Sequence, residues 1–113
     1  MAYIPPLQSL SETLASSYDL SSSPANFTST DISQYSKISI QIVGSSLSKN
    51  VAFKLFQSND NVNFDELDDA DVVLQSGSSS VTLEKSVFSG KYLRLRLTSS
   101  ASGTATIKLL AKK

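Results

Sequence analysis

Residues 51–66 read VAFKLFQSNDNVNFDE. This is a strand, a tight polar turn and a return. Val51, Phe53 and Leu55 alternate onto one face, with the period of a pleated strand. The opposite set is Ala52, Lys54 and Phe56, so Phe56 is either exposed or covered by another part of the protein. Asn59, Asp60 and Asn61 follow as consecutive turn formers. Asn accepts φ > 0 at low cost, so Asn61 can close the turn where glycine would normally stand. Phe64 then returns an aromatic ring to the hairpin. Residues 91–97, KYLRLRL, repeat the alternation: Leu93, Leu95 and Leu97 inward, Tyr92, Arg94 and Arg96 outward. Together the two stretches predict an all-β protein, an antiparallel β-sandwich of jelly-roll type.

Working outward, more strands of the same kind appear. In Lys37 to Val43, Ile38, Ile40 and Ile42 share a face. In Thr104 to Ala111, Ala105, Ile107 and Leu109 point inward and Thr104, Thr106 and Lys108 outward. Val72 to Gln75 and Val81 to Lys85 are shorter runs. Tyr18 to Leu20 reads as the first strand, with Phe27 and Ile32 plugging the core from a loop. Asp31 to Tyr35 reads as a single helical or 3₁₀ turn. Short strands at this spacing, joined by short polar connections, fit an antiparallel sandwich.

Residues 1–17 break the pattern. Tyr3-Ile4-Pro5-Pro6 favours an extended start. Leu10 and Leu14 then stand at helical spacing, with Ser9 as a cap, which predicts one or two weak helical turns. The segment reads as an N-terminal arm, 1–17, ahead of a sandwich domain, 18–113. It is either a loose terminus or an arm that docks on a neighbouring subunit through Tyr3, Ile4, Leu7, Leu10 and Leu14. MAYIPPLQSL has neither a basic n-region nor an apolar h-region, so no secretory signal is expected.

The 113 residues suffice for one domain with one core. Ten basic and ten acidic residues cancel, so no global field draws the chain to nucleic acid or to an anionic membrane. Apolar runs are far shorter than the ~20 residues that span a bilayer. There is no Cys and no His, which excludes disulfides, thiolate metal sites and His-dependent nucleophiles. More than a quarter of the chain is Ser or Thr, yet 40% is hydrophobic and arranged in alternating runs, which argues for a folded domain.

Residues 59–71 hold six of the ten acids: Asp60, Asp65, Glu66, Asp68, Asp69 and Asp71. An EF-hand needs a ligand at its third position and Glu at its twelfth. Counting from Asp60 places Val62 and Asp71 there, so the pattern fails. An irregular site from Asp65, Asp68, Asp69 and Asp71 stands beside the plainer reading of a solvated acidic loop. Neighbouring carboxyls such as Asp65 and Glu66 point to opposite faces of a strand, which spoils a glycosidase pair. Tyr92, Arg94 and Arg96 beside Lys108 read as a solubilising outer face or as a subunit contact. Because acids and bases are segregated, the acidic loop of one subunit is expected to meet this basic face of another, head to tail.

Ser58-Asn59-Asp60-Asn61-Val62-Asn63-Phe64 resembles the S-x-D-G-x-x-W hairpin of discoidin-type, galactose-binding-like domains. Asn61 stands at the Gly position and Phe64 at the Trp position. Lys91-Tyr92-Leu93-Arg94-Leu95 is similar to a late strand of the same domains. Residues 36–111 resemble small virion proteins of bacteriophages more closely, in the turn at Asn59, Asp60 and Asn61 and in a closing hairpin of Tyr92, Arg94, Leu95, Thr98, Ser102, Gly103, Thr104 and Thr106. The resemblance implies a non-enzymatic structural subunit of a phage particle, associated with its capsid. It would need no cofactor, and its partners would be itself, as a homo-oligomer, and other virion proteins. The alternative is a carbohydrate-binding module that attaches to a host glycan. Its stacking candidates would be Tyr35, Phe56, Phe64, Phe88 and Tyr92.

Overall fold

The computed structural model describes residues 9–21, 24–77, 80–86 and 90–112, without the side chains of residues 68–70. The alternating runs become strands because each offers one apolar face to a shared interior. The strands are β1 (Ser9–Asp19), β2 (Ala25–Asn26), β3 (Thr30–Asp31), β4 (Lys37–Ser45), β5 (Val51–Ser58), β6 (Asp65–Leu74), β7 (Ser80–Lys85), β8 (Tyr92–Leu97) and β9 (Thr104–Lys112). All pairings are antiparallel. One sheet has the order β1-β9-β4-β7. The other has the order β2-β8-β5-β6, with β3 also pairing β8. The protein is an antiparallel β-sandwich, as the alternation predicts.

The core lies between the sheets. Ile38, Ile40 and Ile42 of β4 and Ile107 and Leu109 of β9 face Phe53 and Leu55 of β5 and Leu93, Leu95 and Leu97 of β8, all buried. Phe27 and Ile32 are buried beside the short strands β2 and β3, as plugs. Phe27 packs edge-on against Tyr18 at 5.0 Å and reaches Phe53 at 6.4 Å between ring centroids. Tyr35 closes a single turn by donating its N–H to the Ile32 carbonyl three residues back at 3.0 Å, the bond of a 3₁₀-type turn as expected there.

Three expectations are corrected. Residues 9–17 are neither helical nor an arm. They form most of β1, which pairs with β9 from Ser9↔Lys112 to Asp19↔Thr104. Leu10, Leu14 and Tyr18 pack against the core. A spacing of four fits a helix, but it is also twice the strand period, so those residues share a strand face equally well. Residues 1–8, with Tyr3, Ile4 and Leu7, lie outside the described residues.

The acidic stretch, in turn, is no loop. Asp65 begins β6, a strand at the sheet edge, where charges can point to water and discourage pairing with other chains. It carries an irregularity between the pairs Lys54↔Asp71 and Phe56↔Glu66. The last correction concerns Lys108. It is exposed on β9, in the opposite sheet from β8, and so does not stand beside Arg94 and Arg96.

Candidate interaction face

The hairpin between β5 and β6 is built around one buried hydroxyl and one carboxylate. Ser58 Oγ accepts the N–H groups of Asn61 at 3.0 Å and Asp60 at 3.2 Å, and donates to Asp60 Oδ1 at 2.8 Å. Asp60 Oδ1 accepts the N–H groups of Asn63 at 2.8 Å and Val62 at 2.9 Å, and Oδ2 accepts Asn63 Nδ2 at 2.9 Å. The Asn63 N–H, followed by that of Val62, holds the Asp60 carboxyl well below the usual carboxylate range. Both carboxylate oxygens are therefore engaged within the turn. Asn61 takes φ = 60°, the left-handed conformation its position predicts. Its Oδ1 accepts the Ser29 hydroxyl at 2.6 Å, a tie to the β2–β3 segment.

The turn is also locked to β8. Lys91 N–H donates to the Ser58 carbonyl at 2.9 Å, and Gly90 N–H donates to Gln57 Oε1 at 2.9 Å. A Cβ at Gly90 would fall 2.7 Å from Gln57 Cβ, so the close approach needs glycine. A cleft of about 330 Å³ opens here, lined by Gln57, Asn59, Asp60, Asn63, Asp65 and Gly90 among others. Sequence reasoning missed the Gly90 and Ser29 contacts. Both join residues about 30 positions apart, and no local pattern signals them.

The outer face of the second sheet carries the other site candidates. The register places Arg94 opposite Phe56 and Arg96 opposite Lys54 on β5. On the far side of β5, Glu66 stands opposite Phe56 and Asp71 opposite Lys54. Two rows result across the sheet: Arg94–Phe56–Glu66 and Arg96–Lys54–Asp71. Phe56 is half-covered, with the Arg96 guanidinium 5.9 Å from its ring centroid. Arg94 lies 3.9 Å over the Phe64 ring. Its Nε is buried and has no hydrogen-bond partner among the described residues. Lys54 makes an ion pair with Glu66 at 3.3 Å. Tyr92 sits at the end of this face, opposite Ser58 and Asp31, with Lys91 5.6 Å from its ring centroid. The Ser33 N–H keeps Asp31 below its ordinary pKa.

Tyr92, Arg94 and Arg96 thus share this face without Lys108, and the acids Glu66 and Asp71 lie on it as well, so it is not purely basic. Asp65 is exposed at the start of β6. The side chains of Asp68 and Asp69 fall outside the described residues, as does Phe88.

No protein-family model and no curated protein matches this chain. Solved structures do. The SPBc2 prophage-derived protein YomS matches with a TM-score of 0.64 at 14% identity, over 100% of both chains. A chain from Bacillus endospore appendages, described as a novel family of disulfide-linked pili, matches at 0.57 and 8% identity, over 100% of this chain and 98% of that one. CpGH89CBM32-6 of Clostridium perfringens matches at 0.50 and 14% identity, over 90% and 92%. The likeness is one of fold.

Within that fold, the outer face has a definite chemistry. The Arg94 guanidinium 3.9 Å over the Phe64 ring and that of Arg96 5.9 Å from Phe56 are within cation–π range. Rings capped in this way offer a sugar less of a stacking surface.

Proposed function

We propose that this protein is a non-enzymatic structural subunit of a virus particle of the phage type, associated with the capsid and acting through contacts with its own copies and with other virion proteins. The strand pairing supports this reading. With β2 and β3 counted as one interrupted strand, β1 pairs β9, β2/β3 pairs β8, β4 pairs β7 and β5 pairs β6. That nesting is a single long hairpin rolled on itself, the winding of a jelly roll, an architecture used by capsid domains. The match to a prophage-derived protein over the full length of both chains adds to it. The chain's lack of His and Cys speaks against the commonest catalytic devices.

The observation that carries the reading is the capped aromatic face. Phe64 lies under the Arg94 guanidinium and Phe56 is half-covered beside Arg96, an aromatic–arginine mix that suits a protein contact better than a glycan platform. Antibody raised against the purified chain should label virus particles pelleted from the source culture. Label confined to free protein, with none on particles, contradicts the proposal. Saturable binding to a glycan would favour a receptor-attachment module instead.

A further inference from the structure

We propose that the outer face of the β2/β3-β8-β5-β6 sheet joins two copies of this chain face to face, about a two-fold axis running along β5. This deepens the reading of a self-associating structural subunit and rests on it. The decisive feature is the order of charge across the sheet. The cations Arg94 and Arg96 stand on β8, the anions Glu66 and Asp71 on β6, and β5 lies between them. Each charged column is one strand spacing, about 4.8 Å, from β5, on opposite sides. A half-turn about an axis along β5 exchanges the two columns and keeps the rows. Arg94 of one copy then lies over Glu66 of the other, and Arg96 over Asp71. The same operation repeats both pairs in reverse.

Neither arginine has an ion pair among the described residues. Arg94 lies over Phe64 and Arg96 beside Phe56, and a guanidinium pairs well with a carboxylate. Phe56 falls on the axis and meets its own counterpart, an apolar centre inside a charged rim. Lys54 would also approach its counterpart, but Glu66 holds it. The contact is isologous and closes at two copies, whereas the head-to-tail contact suggested by sequence alone would continue into a ring or a filament.

Sedimentation of the full chain tests this, with thermal unfolding to verify that each variant folds. The wild type should weigh twice the chain mass and dissociate as salt rises. Arg94→Glu with Arg96→Glu makes the face wholly acidic apart from Lys54. Glu66→Arg with Asp71→Arg makes both charged columns basic. Each double variant alone should be monomeric at concentrations where the wild type is dimeric. Mixed together they should recover the dimer. Should a charge reversal fail to fold, Arg94→Gln with Arg96→Gln takes its place and should still lose the dimer.

Because the chain has no cysteine, single cysteines report on the axis. Phe56→Cys should cross-link to itself through a short bis-maleimide, since packed sheet faces stand about 10 Å apart. Lys108→Cys, on the opposite sheet, should not. A wild type that is monomeric at every concentration overturns the proposal. So does an oligomer indifferent to both reversals, or one that cross-links through position 108. Particle labelling is independent of these results, so an interface elsewhere would leave the structural role standing.

Discussion

At the scale of single residues, Asn61 and Asp60 make the clearest case. Asn61 sits at φ = 60°, where a β-branched side chain is strained. Asn61→Gly should leave stability near the wild-type value, because easier backbone geometry offsets the lost bond from Ser29. Asn61→Val should cost about 1–2 kcal/mol in chemical denaturation. Asp60 adds a pH dependence. Its folded-state pKa is depressed by the N–H groups of Asn63 and Val62, so its contribution is complete above the unfolded value of about 3.9 and fades as pH falls through the folded value. Asp60→Asn should therefore flatten the acid side of the stability profile, measured by denaturation at stepped pH. The core makes a third prediction. Leu95 is 1% exposed between the sheets, and Leu95→Ala should cost about 2–5 kcal/mol. Arg94→Ala, which loses mainly the stacking on Phe64, should cost about 1 kcal/mol or less in the same assay.

At the scale of elements, β1 carries the strongest prediction. It is an outer strand of its sheet, but Leu10, Leu14 and Tyr18 cover the core and Leu20 just beyond it is fully buried. Removing residues 1–17 should lower the thermal midpoint sharply or unfold the protein. An unchanged midpoint would show that β1 is dispensable. Strands with strict alternation were legible in the sequence: Ile38 to Ile42, Val51 to Leu55, Leu93 to Leu97 and Ala105 to Leu109 each show their buried face directly. β1 was not, because its apolar residues recur every four positions, a spacing that a helix and a strand share. β6 was hidden for a different reason. Its acids suit an outermost strand, and a strand's place in the sheet is set by distant pairings that leave no local mark. The turn at Asn59 to Asn61 was legible because its chemistry is local. At the far end of the sandwich, Gly103 adopts φ = 124°, and a Cβ there would lie 2.8 Å from the carbonyl oxygens of Ser45 and Ser46. The β8–β9 connection, expected from the sequence as a hairpin, instead crosses from one sheet to the other and presses directly on the β4–β5 connection.

At the scale of the whole molecule, the charges cancel in number but are ordered in space. The sequence showed their segregation along the chain. It could not show that strand order brings Glu66 and Asp71 onto the same face as Arg94 and Arg96, or that it sends Lys108 to the other sheet. That arrangement turns an expected head-to-tail attraction into a self-complementary one. The proposed face-to-face contact between copies follows from this order of charge about β5. Sedimentation equilibrium of the wild-type chain across a wide concentration range tests that claim most directly. The account predicts a reversible assembly at twice the 12.1 kDa chain mass that weakens as salt rises. A single species at the chain mass throughout, at low salt and high concentration alike, would contradict it.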